Sequence, residues 1–168
     1  MIVGFITISL LTLFISSCSS AWRDIDEAEK NFQKHKDLFL TLRDFLIESE
    51  YNDISITPSM EKGEMFVNIA GNSYVPIDSD EFICAANLLL NKHGYSSISK
   101  TDSYVEFGRT QTYDTIYYGI AYSADGQVPD DSVIQFLTSI ESLTEDGWYH
   151  YEARYNEYRQ RDRSEPNK

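Results

Sequence analysis

The chain has 168 residues, 27 of them acidic against 14 basic, for a net charge of −13. Phosphates are repelled over the whole surface of so acidic a body, which excludes nucleic acid and argues against flat contact with anionic lipid. Such acidity suits solubility or a basic partner protein. It is unevenly spread, with 24 acidic and 9 basic residues up to Ala153, then 3 acidic and 5 basic from Arg154 to Lys168.

Residues Ile2 to Ile15 are fourteen uncharged residues rich in Ile, Leu and Phe. As a helix they span about 21 Å, short of a ~30 Å hydrocarbon core, and so read as the apolar region of a secretory signal rather than a membrane span. Ile15-Ser16-Ser17-Cys18 follows, and then the polar pair Ser19-Ser20. The tetrapeptide resembles the lipobox of bacterial lipoproteins, over only the first eighteen or so residues. That resemblance implies cleavage after residue 17, diacylglycerol on Cys18, and attachment to the membrane through N-terminal acyl chains. Ser19, where an Asp would favour the inner membrane, implies the outer membrane facing the periplasm in a Gram-negative host. In a host with one membrane it implies the outer face of the plasma membrane.

On this reading residues 1–17 are a cleaved signal, 18–23 a short lipidated tether, 24–158 a single α+β domain, and 159–168 a polar, disordered tail. The 151 residues left after cleavage can bury about 70% of their unfolded surface without a disulfide. With Cys18 lipidated, Cys84 is the remaining thiol. Its setting, Phe82-Ile83-Cys84-Ala85-Ala86, predicts a small buried hydrophobe rather than a nucleophile.

Asp24 to Ser49 carries the clearest periodicity. Ile25, Ala28, Phe32, His35, Phe39, Leu42 and Leu46 recur at steps of three and four, which predicts one amphipathic helix. Asp24 with Glu27 predicts a capping box, and Asp26, Glu27 and Glu29 suit the positive end of the dipole. Short extended runs follow at Ile54–Thr57 and Met65–Ala70, with Lys62-Gly63 as a turn. Ser79 to His93 reads as a second helix, stopped by Gly94. Beyond Tyr95 the period becomes two. Tyr104–Phe107, Thr115–Tyr122, Val133–Leu143 and Trp148–Ala153 read as strands, with Asp125-Gly126 and Asp146-Gly147 as turns. Val133–Leu143 also allows a short helix capped by Asp131. The fold class expected is α+β, a mostly antiparallel sheet in a meander with two main α-helices packed on one face. Tyr151, Tyr155 and Tyr158 are spaced to begin a short docked helix in the tail.

No catalytic residue is assigned. His35, His93 and His150 show no metal-ligand spacing, so neither a metal nor another cofactor is expected. His35 falls on the buried stripe of the first helix, and His150 is a pH-sensitive contact residue or a strand residue without a catalytic partner. Ser97-Ile98-Ser99-Lys100 matches S-x-x-K, but the companion motifs of that chemistry are missing and the match is rejected. The acidic clusters around Asp78, Asp125 and Glu145 are accounted for by helix capping, turns and solvent.

The one functional slant is aromatic. Tyr113, Tyr117, Tyr118 and Tyr122 crowd one strand, with Trp148, Tyr149 and Tyr151 on another. Alternation puts aromatics on both strand faces, so some lie outside the core unless the sheet is covered twice. These seven are the candidate partner-binding residues, against the alternative of plain cross-strand pairing. The function expected is a lipid-anchored, non-enzymatic interaction module of the cell envelope, of the immunity or exclusion type toward a basic protein. The alternatives are an envelope hydrolase with a spatially assembled carboxylate site, or a passive surface lipoprotein.

Overall fold

Alternating apolar residues give each central strand one side to bury, and the amphipathic helices supply what they are buried against. The computed structural model describes residues 24–58, 63–67, 73–111 and 116–154. Cys18, the signal and tether, Lys62, Tyr113 and the tail beyond Arg154 lie outside them. The elements in order are α1 (Ile25–Lys34), α2 (Lys36–Glu48), β1 (Asp53–Ile56), β2 (Glu64–Val67), β3 (Ser73–Pro76) and α3 (Asp80–Asn87). A π-helical turn (Leu88–Lys92) then leads to β4 (Ser97–Thr101), β5 (Tyr104–Gln111), β6 (Ile116–Ser123), β7 (Leu137–Ser142) and β8 (Trp148–Arg154). The strands form one antiparallel sheet in the order β3-β2-β1-β4-β5-β6-β8-β7, so the fold is α+β with most of its regular structure in the sheet.

The first helix is two helices. Asp24 caps α1 by accepting from the Asp26 amide, while Glu27 pairs with Lys30 instead of closing a capping box. His35 then leaves helical geometry at φ −119°, ψ 20°. The break lets Ala28 and Phe32 on α1, and Phe39, Leu42 and Leu46 on α2, all reach full burial. The His35 ring lies 3.9 Å from that of His93. α3 begins as its residues dictate, with the Ser79 hydroxyl accepting from the Phe82 amide, and the chain leaves the π turn at Gly94 with φ +72°. Phe82, Ala85 and Ala86 face inward from α3, so a step of about 100° per residue turns Cys84 to solvent. The expectation that Cys84 is buried is thereby corrected.

The sheet contains a strand that the residue pattern does not announce, β3, paired along β2 from Ser73 to Pro76. The expected meander also breaks after β6. Residues 124–136 cross the outer face of the sheet, and β8 inserts between β6 and β7. Asp130, not Asp131, caps a single turn at the start of the Val133 segment, and only Leu137–Ser142 is strand.

Two apolar cores result. The larger lies between helices and sheet. Trp148 is its hub, with ring centres 4.7 Å from Phe32, 5.0 Å from Tyr122 and 6.0 Å from both Phe39 and Phe107. The smaller lies on the opposite face, where Ile134, Val133 and Phe136 of the crossing segment cover Ala121, Tyr151 and Ala153. The sheet is therefore covered twice over β6 and β8.

Candidate functional site

That double cover decides the fate of the aromatic residues. Tyr118 and Tyr122 point to the helical side, where Tyr122 packs on Trp148 and beneath the Arg43 guanidinium, 5.0 Å from its ring centre. Trp148 is 1% exposed, Tyr151 1%, Tyr149 7% and Tyr118 8%. These four are core residues and offer no open contact surface. Tyr117 keeps 38% exposure on the outer face. Tyr113 lies outside the described residues. His150 is buried on the helical side, facing Ile120 and Glu141 across the ladders.

The outer face holds the arrangement with most chemical content. Between the sheet and the crossing segment lies a cavity of about 380 Å³, lined by Ser96, Ser97, Glu106, Thr110, Tyr117, Tyr151 and Phe136 among others. Its floor is a row of four residues directly opposite one another on neighbouring strands: Tyr151 on β8, Gly119 on β6, Gly108 on β5 and Ser97 on β4. The two glycines leave a trough along which the tyrosine lies. A Cβ on Gly119 would stand 2.9 Å from Tyr151 Oη, and one on Gly108 would stand 2.7 Å from Ser97 Oγ. At the end of the trough Tyr151 Oη donates to Glu106 Oε1 at 2.5 Å.

Burial raises the Glu106 carboxyl above its ordinary pKa, and the Tyr151 hydrogen bond opposes that only in part. Burial and the facing carboxylate together push the Tyr151 phenol well above its own usual value. Glu106 nonetheless keeps partial exposure, because one side of it borders the cavity. Among the described residues no Lys, Arg or His lies within ion-pair distance of Glu106. Arg109 borders the cavity, but its guanidinium sits on the helical side, 5.5 Å over the Tyr95 ring and against Gly94. Phe136, at the opposite lip, is held at φ +65°, a left-handed conformation uncommon for a bulky residue.

The S-x-x-K match is dismantled by alternation. Ser97 borders the cavity, whereas Lys100 points to the other side of the sheet and donates to the Ser49 carbonyl at 2.9 Å. The Asp125–Asp130 cluster resolves into local caps: Asp125 accepts from Ser123, Ser103 and the Gln127 amide, and Asp130 from Ser132, whereas Glu145 pairs with Lys36 of α2 at 2.5 Å. Among the described residues no group of three or more His, Cys, Asp or Glu is placed to hold a metal ion, and no helix is long and apolar enough to cross a membrane.

Sequence reasoning passed over Glu106 altogether. Its one signal is a charged residue at the centre of Val105-Glu106-Phe107-Gly108, on a strand whose outward neighbour is glycine. No family model matches the chain, nor does any curated protein or solved structure.

Proposed function

We propose that the protein is a lipid-anchored binding module of the cell envelope, tethered through Cys18, that engages a basic partner protein on the outer face of its sheet. The observation that carries this reading is the partly open Glu106 carboxyl, which has no Lys, Arg or His at ion-pair distance among the described residues and borders a cavity of a body with net charge −13. A field of that sign attracts basic partners and speeds their encounter, and the cavity gives the attraction a defined place to end. The lipobox-like Ile15-Ser16-Ser17-Cys18 supports the tether and the envelope location, in the outer membrane of a Gram-negative host or on the outer face of a single membrane.

The test uses the mature chain extracted in detergent from its own envelope. Retention of a defined basic envelope protein at low salt, released at high salt and not retained by an unrelated protein of equal acidity, is the expected result. Equal retention by the acidic control would sink the reading. A hydrolytic alternative draws on the same raised Glu106 acid. Paired-carboxylate glycoside hydrolysis needs a second carboxylate about 5–10 Å away, and Glu106 is the one carboxylate among the described cavity-lining residues.

A further inference from the structure

The Glu106 cavity has the chemistry to receive one particular kind of group. A carboxylate removed from water without a counter-ion is costly, and proteins ordinarily pair such groups or coordinate them. Glu106 sits in that situation, with a phenol as its hydrogen-bond partner and part of its surface bordering an opening of about 380 Å³. That volume holds roughly a dozen waters at ~30 Å³ each, enough for one guanidinium or ammonium group with its stem but not for a folded segment. The walls fit the same guest. Ser96, Ser97 and Thr110 line it with hydroxyl-bearing residues, Ser96 and Thr110 bonded to each other at 3.1 Å, and Tyr117 and Phe136 are aromatic residues suited to an alkyl stem or a planar cation. The Gly108–Gly119 trough is taken by the Tyr151 side chain and the Ser97 hydroxyl, so a guest reaches the carboxyl from the cavity that Glu106 borders.

We propose that the Glu106 cavity is a receptor for a single organic cation, a guanidinium or alkylammonium group, which pairs with the carboxyl left by Tyr151 and stacks on the aromatic lip. This rests on the binding-module reading above and names the group that the module captures. The cation reaches the site as a free small molecule or as an Arg or Lys side chain of the partner. In either case it supplies a counter-charge that no Lys, Arg or His among the described residues gives to Glu106. Tyr151 is the titratable group in contact with the carboxyl, and the Arg109 guanidinium is screened from it by the sheet.

The mature chain in detergent is titrated with methylguanidinium chloride and, separately, with a short end-capped peptide containing one arginine. Binding is followed by calorimetry and by the carboxyl carbon resonance of Glu106. Saturation by at least one probe is expected to lower the Glu106 pKa. Glu106→Gln is expected to weaken that probe about tenfold or more, the loss of a charge-assisted hydrogen bond. Binding of methylguanidinium identifies a small cation as sufficient; binding of the peptide alone identifies a side chain carried on a polypeptide. No binding of either probe to the folded chain, or equal affinity in Glu106→Gln, overturns the proposal. If Glu106→Gln failed to fold, an unmoved carboxyl resonance in the native chain at saturating probe would overturn it as well. Capture of a basic protein with unaltered affinity by Glu106→Gln would refute this site while leaving the binding module standing. Probe binding without any captured protein would do the reverse.

Discussion

Tyr151 lies directly across Gly119 in the β6–β8 ladder, and its hydroxyl passes over that glycine and the next, Gly108, to reach Glu106. The contact depends on what two positions lack. An alanine Cβ at position 119 would stand 2.1 Å from the Phe107 carbonyl oxygen, an atom fixed in the sheet, as well as 2.9 Å from the tyrosine hydroxyl. Gly119→Ala is therefore expected to cost at least the ~1–3 kcal/mol typical of overpacking. Urea unfolding measures it, and an unchanged midpoint would contradict the account of the trough.

Glu106 itself opposes folding at neutral pH. Its carboxyl has a higher pKa folded than unfolded, so its contribution is most favourable below the ordinary Glu value and is lost as pH rises through the raised folded value. Glu106→Gln removes that dependence. Its stability relative to the native chain is expected to climb as pH increases above about 4.5. Denaturant midpoints of the two proteins across pH 4 to 8 provide the comparison, and parallel curves would refute it.

The His35–His93 stack has the opposite sign. Both imidazoles are held below the ordinary histidine value, first by burial. His35 is next affected by His93 and Lys34; His93 feels Lys34, Lys92 and Arg109. A depressed folded pKa means that the unfolded chain takes up protons first. The stabilising contribution is present above about pH 6.5 and disappears as pH falls through the folded values. Replacing His93 with Gln is expected to flatten the loss of stability just below pH 6.5, read as thermal midpoints in matched buffers.

Trp148 joins aromatic residues of both α1 and α2 to the sheet, so the helical layer and the strands are expected to melt together. Phe39→Ala removes a fully buried ring that touches Phe32, Tyr95, Phe107 and Trp148. A loss of about 3–5 kcal/mol is expected, a large part of the ~5–15 kcal/mol that holds a domain of ordinary stability. Guanidinium unfolding followed by tryptophan emission checks it.

Thiol titration separates two other statements. Cys84 is solvent-exposed and is expected to react with an aromatic disulfide reagent in the native state. If Cys18 carries lipid, the mature protein shows one reactive thiol before and after unfolding. Two would refute lipidation, and none before unfolding would refute the exposure of Cys84.

Local chemistry was legible wherever it acts on its own neighbours. Asp24 and Ser79 can only serve as caps because their oxygens meet amides two or three residues on, and Gly94, Gly126 and Gly147 mark left-handed backbone wherever they occur. Periodicity likewise determined the buried residues of α1 and α2, the alternation of β5, β6 and β8, and with them the α+β class. A lipobox-like tetrapeptide is a linear signal, complete without any fold.

What the chain alone left open depended on residues far apart in sequence. The break at His35 sets its ring 3.9 Å from that of His93, 58 positions away. Tyr151 became core because residues 124–136 fold over the outer face, since alternation assigns a side to each ring but not what covers that side. Glu106 became a site only when β8 was inserted beside β6. That pairing lays Tyr151 along two glycines and closes a cavity around the carboxyl, a juxtaposition of four strands that no local pattern encodes.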